Sequence, residues 1–244
     1  KDGNIAFLYG TPNDQSLPAY LKGTKFSTST SINVHSFSYF LSIKNRLKPH
    51  IGSLISNIIN FCFLNMEPIL FFLNDQLRKN INYKVTAFIL NPIAWEIFWL
   101  AASKEWDFIH FRDSKSIQWR FFKNPEKYKF ILVEENDQII GYLIYKVVLG
   151  EKTNSFQIAD FLFLKNKEDA LYLCFRKLRT VAKRDNIDRI SIWCESKNVY
   201  AETIRKIGFI KGNKKEVIIN NISKSRNLEN IKSIHFTLSD TDNI

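Results

Sequence analysis

Nine residues, FQIADFLFL at 156–164, form a nearly continuous apolar stretch. A run of this length is typical of a strand that is buried inside a sheet. An amphipathic helical pattern follows at Lys167–Arg184, and a second strand pattern follows at Arg189–Cys194. Strands that alternate with helices in this way indicate an α/β or α+β fold with a mixed sheet.

Patterns on both sides of this stretch extend the same sheet. The other elements predicted in this half are helices at Pro92–Ser103, Ser114–Phe122 and Tyr200–Ile207, and strands at Lys84–Leu90, Phe130–Glu134, Gln138–Val148 and Phe209–Ile219. The strands at 130–134 and 138–148 flank a short polar turn and form a hairpin. We therefore expect one mixed sheet that is centred on 156–164 and has helices on both faces.

The first part of the chain has a different pattern. It predicts a strand at Ile5–Tyr9, a short helix at Ser16–Lys22 and one or two strands within Phe26–Ile43. The apolar stretch Ile51–Leu73 contains three Asn, a Glu and Pro68, so we expect a buried or interfacial helix broken near Pro68 and no transmembrane segment. Residues 74–83 are polar and resemble a linker. We divide the chain into units 1–80 and 81–244.

Composition narrows the classes of function. The 244 residues are 45% hydrophobic and 24% charged, which excludes a disordered chain, and the net charge is +11. The Lys and Arg side chains are dispersed and form no stripe with interleaved aromatic residues, which argues against DNA or RNA as a partner. Three scattered Cys and four isolated His give no metal-binding spacing, so we expect no metal and a reducing, cytoplasmic location.

Two segments together resemble a known family. The first is DS at 113–114 with WRFFKNP at 119–125 and IIGY at 139–142, and the second is YGTPNDQS at 9–16 with YLKG at 20–23. These residues resemble tandem GNAT-fold acyltransferases, a group of bacterial proteins often associated with surface polysaccharides. The resemblance implies a partial first GNAT domain, whose earlier strands would precede Lys1, and a complete second one.

The same resemblance implies a reaction and a set of residues. GNAT enzymes transfer an acyl group from acyl-CoA, so acetyl-CoA would be the co-substrate and a small or sugar-type amine or hydroxyl would be the acceptor. Asn13 would contact the pantetheine arm, Ser16 would occupy the small-residue position, and Tyr20 would be the acid that protonates the thiolate. The alternative is that Asn13 belongs to an ordinary turn and that Tyr20 is an aromatic residue at the edge of the core.

The second unit departs from the family at its own CoA site. The loop after the central strand reads KNKEDA at 165–170, and it lacks the glycine that lets a backbone approach a pyrophosphate. Lys197 and Ile204 stand where the family has its Asn and Tyr. We therefore expect this unit to have lost CoA binding.

Three residues of the second unit are weaker candidates for substrate contacts. Asp160 lies inside the apolar strand, where a carboxylate is either paired, turned into a cleft or raised in pKa as a base. Trp119 and Arg120 could shape an acceptor pocket, although Trp is more often a core residue and Arg more often part of an ion pair.

Two other functions remain open. Fem-type peptidyltransferases also pair two GNAT folds and use aminoacyl-tRNA, which the basic charge would suit. The second unit could also be a non-catalytic binding module with a GNAT fold.

Overall fold

The computed structural model describes residues 7–12, 15–23, 25–28, 32–76, 83–87, 91–221 and 233–241. The strands are β1 Phe7–Gly10, β2 Ser27–Thr28, β3 Val34–Phe40, β4 Lys84–Ala87, β5 Phe108–Ile109, β6 Tyr128–Glu135, β7 Gln138–Leu149, β8 Asn154–Phe163, β9 Arg189–Glu195, β10 Ile210–Lys215, β11 Ile218–Asn221 and β12 Ile234–His235. The α-helices are α1 Leu17–Gly23, α2 Lys44–Gln76, α3 Pro92–Ser103, α4 Ser114–Ile117, α5 Ala170–Arg184 and α6 Val199–Ile207. A π-helical turn, Gln118–Phe122, continues α4, and a 3₁₀ turn spans Leu238–Asp240.

Seven strands form the main sheet in the order β10-β3-β9-β8-β7-β6-β4. The central position of β8 confirms the sheet predicted around 156–164. The β8–β9 pair is parallel and is connected by α5, while every other neighbouring pair in this sheet is antiparallel. The fold is therefore a mixed α/β fold with a large mixed sheet flanked by helices.

Strand β3 comes from the first part of the chain but lies inside this sheet. Its seven residues pair with β9 from Val34 opposite Glu195 to Phe40 opposite Arg189, and its other edge pairs with β10. The sheet thus takes strands from both sides of the boundary near residue 80, which stays a prediction.

Side chains of β8 point alternately to the two faces of the sheet and pack into the hydrophobic core on each face. Phe156, Ile158, Phe161 and Phe163 pack among buried side chains of α5 and α6. Leu162 packs on the other face, among Trp95, Phe98 and Trp99 of α3 and their neighbours. Helices therefore cover both faces, as the sequence predicts. Asn91 caps α3 through its side chain and Pro92 occupies the first turn, which explains why the predicted helix bounds agree with the structure.

Helix α2 corrects one prediction. Its backbone is interrupted at Gly52, where φ is 76° and ψ is 171°, and not at Pro68, which lies within the helix. Glycine adopts a positive φ at little cost, whereas a proline can remain in a helix with the loss of one hydrogen bond. No helix in the described part of the chain is long and apolar enough to cross a bilayer.

Glu67 anchors α2 to the main sheet and α5. Its carboxylate accepts bonds of 2.6 Å from Arg179 Nη2 and Lys183 Nζ, and it also accepts the hydroxyl of Tyr39. Burial by itself would raise the pKa of Glu67, but these partners lower it to about 2.

Candidate functional site

Strands β8 and β9 separate part-way along their length. They pair in parallel from Ser155 opposite Arg189 to Ile158 opposite Ile192, and both strands then continue without pairing to each other. A β-bulge lies at this point, because the register of β8 against β7 skips Ala159. We call the opening beyond Ile158 and Ile192 the strand gap.

The chain's own residues occupy the strand gap. Residues 233–241, here called the closing segment, enter it, and His235 Nε2 lies 2.7 Å from the carbonyl oxygen of Phe161. Tyr200 accepts the N–H of Phe163 at 3.0 Å and donates to its carbonyl at 2.8 Å. Asn198 Nδ2 donates to the carbonyl of Ile234 at 3.0 Å, which holds the closing segment against the start of α6. Three backbone groups of β8 in this region, the carbonyls of Phe161 and Phe163 and the N–H of Phe163, are thus already bonded.

His235 is a neutral side chain in this position. A carbonyl oxygen can only accept, so Nε2 carries the hydrogen, and Nδ1 is buried with no hydrogen-bond partner in the described part of the chain. Burial, together with the nearby positive charge of Arg112, lowers the pKa of His235 to about 4. The ring packs against Trp106 and Phe161 at centroid distances of 5.0 and 5.3 Å.

A buried polar cluster lies beside the closing segment. We call it the Asp160 cluster; its members are Asp160, Arg112, Tyr142, Thr237 and Asp240. Arg112 Nε donates to both carboxylate oxygens of Asp160, at 3.1 and 3.0 Å, and its Nη2 donates to Asp240 at 2.7 Å. Tyr142 and Thr237 also donate to Asp160, at 2.8 and 2.9 Å. The closing segment is therefore tied to β8 by charge as well as by its histidine.

These contacts decide among the alternatives for Asp160. Its side chain is 0% exposed, and both of its oxygens are bonded. Burial by itself would raise the pKa of Asp160, but the adjacent Arg112 lowers it below the usual value. Of the three possibilities, Asp160 is the paired carboxylate.

Arg120 and Trp119 lie where the cluster approaches the surface. Arg120 Nη1 is 4.0 Å from Asp240 Oδ1, and its Nη2 is 3.4 Å from His110 Nδ1. Trp119 is 69% exposed, so it is not a core residue. Burial is the main cause of the lowered pKa of His110, with a smaller contribution from Arg120. The structure thus brings Arg120 close to the Asp160 cluster, while Trp119 projects into solvent.

The N-terminal motif is described only in part. Asn13 lies outside the described residues. The Ser16 carbonyl accepts the N–H groups of Ala19 and Tyr20, at 3.1 and 3.2 Å, so Ser16 begins the first turn of α1. Tyr20 is 42% exposed and makes an edge-to-face contact with Phe26 at 5.7 Å.

Strand β1 leads into this motif beside the closing segment. The ring of Tyr9 packs against Phe236 at 5.8 Å and Phe108 at 5.6 Å, and it lies 6.4 Å from the ring of His110. The motif therefore starts on the same side of the molecule as Arg120 and the closing segment.

Backbone N–H groups of the loop after β8 donate hydrogen bonds to carboxylates. The N–H of Lys165 donates to Glu105 at 3.0 Å, and the N–H of Asn166 donates to Glu168 at 3.2 Å. These carboxylates occupy backbone donors that a pyrophosphate would need. That this loop does not hold CoA phosphates stays a prediction. Among the described residues, no group of three His, Cys, Asp or Glu side chains is placed to hold a metal ion.

Sequence reasoning missed Arg112, His235 and Asp240. Arg112 is 48 positions from Asp160, and Asp240 is 128 positions from Arg112, so no local spacing connects them. The only sequence signal was the carboxylate of Asp160 inside an apolar strand, which required a buried partner.

No family model and no curated protein matches the chain. Solved structures do match. A GCN5-related N-acetyltransferase from Anabaena variabilis superposes with a TM-score of 0.53 at 11% identity, over 88% of this chain and 45% of that protein. N-myristoyltransferase from Saccharomyces cerevisiae, solved with bound myristoyl-CoA, gives a TM-score of 0.54 at 8% identity, over 86% of this chain and 56% of that protein. The chain thus spans about half the length of these structures, and at such identities the likeness establishes a GNAT-type fold.

Proposed function

We propose that the protein is a GNAT-fold acyltransferase whose donor, acetyl-CoA, is not held in the strand gap. The likeness of fold to acyltransferases supports acyl transfer. One observation carries the exclusion of the donor from the gap: the parallel strands separate as in the fold, but His235 and Tyr200 already bond the backbone of β8 between them. A thioester arm that ran along β8 would have to displace both side chains. The donor therefore binds elsewhere in the active protein.

The N-terminal motif is the proposed donor site. Asn13 would bind the pantetheine arm, Ser16 would leave room for it, and Tyr20 would protonate the departing thiolate. The exposed side chain of Tyr20 and the packing of Tyr9 next to the closing segment support this placement. The acceptor, a small or sugar-type amine or hydroxyl, would lie near Arg120 and Trp119.

A substitution that removes the hydroxyl of Tyr20 tests the proposal in the complete gene product. Tyr20→Phe removes only the proton donor, so kcat for CoA release from acetyl-CoA should fall about 10-fold or more while the KM for acetyl-CoA changes little. Tyr128→Phe is the matched control, because the Tyr128 hydroxyl is buried and has no hydrogen-bond partner in the described part of the chain. Equal kcat values for Tyr20→Phe and wild type would remove Tyr20 from the site.

The closed gap also favours a second candidate, a GNAT-fold binding module without catalysis. The two candidates differ in one measurement, since a module would neither bind acetyl-CoA nor release CoA with any amine or hydroxyl acceptor. Acetyl-CoA turnover by the complete gene product would eliminate the module.

A further inference from the structure

A basic cleft of about 570 Å³ lies at the other end of the sheet from the strand gap. Its floor is the face of β3 and β9 that points away from α5 and α6, because Phe37 and Tyr39 of β3 face the core while Ser36 and Ser38 alternate to the opposite side. Its volume is within the roughly 300–1,000 Å³ range of small-molecule sites.

Positive charge dominates the lining of this cleft. Arg46, Lys152, Arg189 and Lys211 contribute cations, and Asp188 is the one carboxylate among the described lining residues. None of these four cations forms an ion pair with a residue that the structure describes. Asp188 is already engaged, since its Oδ2 accepts the N–H of Asn154 at 2.9 Å. Among the described lining residues, the four cations are therefore opposed by a single carboxylate, that of Asp188, and the cleft keeps an excess of positive charge.

Arg189 shows most directly that a partner is missing. It begins β9, opposite Phe40 on one side and Ser155 on the other, so its stem is fixed at the floor of the cleft. Its Nε is buried and has no hydrogen-bond acceptor within the described residues. Leaving a buried donor without an acceptor is unfavourable, and a ligand oxygen would supply the missing acceptor.

Hydroxyl groups next to Arg189 complete a donor surface. The Ser38 and Thr153 hydroxyls line the cleft and make no hydrogen bond to any described residue. Strand β10 can approach this floor closely because Gly212 has no side chain; a Cβ there would lie 2.7 Å from Ser36 Oγ. The positive field extends along β10. Burial is the main cause of the lowered pKa of His35, and the charges of Lys211 and Lys214 lower it further.

We propose that the basic cleft binds the phosphate groups of a small phosphorylated ligand. Several cations around one cavity match a group that carries two or more negative charges, and guanidinium together with hydroxyl donors matches phosphate oxygens. The cleft has room for more than a phosphate alone. It is separate from the strand gap, which lies at the opposite ends of β8 and β9, and it does not depend on acyl transfer.

Calorimetric titration with inorganic pyrophosphate tests the proposal at low ionic strength, where surface charges are least screened. Wild type should bind pyrophosphate saturably. Arg189→Gln should raise the Kd about 10-fold or more, and Lys211→Gln should raise it about threefold, because each removes one cation while keeping a polar side chain. Lys165→Gln is the matched control, since Lys165 is an exposed lysine in the loop after β8, and its Kd should stay within about twofold of wild type.

Three results would overturn the proposal. One is the lack of saturable heat at pyrophosphate concentrations up to about 10 mM, which is far above ordinary ligand affinities. Another is an equal loss of affinity in Lys165→Gln and Lys211→Gln, which would indicate general attraction by a basic surface. The third is equally strong competition by acetate at matched ionic strength. Lys211 lies on the exposed strand β10, so Lys211→Gln keeps the test valid if Arg189→Gln does not fold.

Discussion

Because of His235, the free energy of unfolding should decrease as the pH falls below the pKa that this histidine has in the unfolded chain. The folded pKa is about 4 and the ordinary value is 6.5. Between these values the unfolded chain binds a proton that the folded chain does not, so acid favours unfolding. The difference between these two pKa values corresponds to about 3 kcal/mol of stability, which is present above the unfolded pKa and is lost as the pH approaches the folded pKa.

The comparison of wild type with His235→Gln isolates this effect. Glutamine can still donate a hydrogen bond to the carbonyl of Phe161, but it does not titrate. The variant should be less stable by about 1 kcal/mol near pH 7, because it loses the ring packing against Trp106. Carboxylate titrations are common to both proteins and cancel in the difference.

Urea unfolding, followed by tryptophan fluorescence, gives the required free energies of unfolding. The advantage of wild type over His235→Gln should decrease by about 1.4 kcal/mol per pH unit below pH 6.5, and its sign should reverse at about pH 5.7. His50→Gln, a substitution of an exposed histidine, should show no such change relative to wild type. A wild-type advantage that stays constant within about 0.5 kcal/mol from pH 7 to pH 4.5 would refute the buried, neutral His235.

Three further substitutions test buried contacts of the fold and of the site. Asp160→Asn should destabilise the fold by about 3–5 kcal/mol in urea unfolding, because it leaves the buried Arg112 with one carboxylate fewer, and a cost below about 1 kcal/mol would show that the pair is solvated. Gly141→Ala should destabilise by about 3 kcal/mol, since a Cβ would overlap the ring of Phe163, and Phe163→Leu in the same chain should restore part of that loss. Glu67→Gln should lower the free energy of unfolding by about 3 kcal/mol near pH 7. The loss should become smaller as the pH falls from 4.5 towards 2, because the cationic partners lower the pKa of Glu67 and acid then protonates it. An equal loss at pH 7 and at pH 2 would contradict this.

Local patterns predicted most elements of the main sheet, and the reason is visible in particular residues. A strand with apolar side chains on both faces, as in 156–163, is buried only when it lies in the middle of a sheet that is covered on both sides. Asn91 and Pro92 mark the start of α3 through local capping alone, without any tertiary contact. The insertion of β3 between β9 and β10 could not be foreseen, because strand order depends on pairing between segments about 150 residues apart.

The candidate site was less accessible to sequence reasoning. The missing glycine in 165–170 predicts a loop unsuited to phosphate, and this stays a prediction; the structure bonds the N–H groups of Lys165 and Asn166 to carboxylates. The closing segment gave no signal, because β12 has only two residues and the contacts of His235, Thr237 and Asp240 join it to residues far away in the sequence. The proposed roles of Asn13, Ser16 and Tyr20 stay predictions.

Amide hydrogen exchange at Phe163, with and without acetyl-CoA, tests the central claim most directly. If the chain itself closes the strand gap, this amide is bonded to the Tyr200 hydroxyl and should exchange slowly in the absence of any ligand. Saturating acetyl-CoA should leave its exchange rate unchanged, and Tyr200→Phe should increase the rate. Fast exchange at Phe163 that becomes slow when acetyl-CoA is added would show that the gap is a donor site, and it would contradict the closed strand gap.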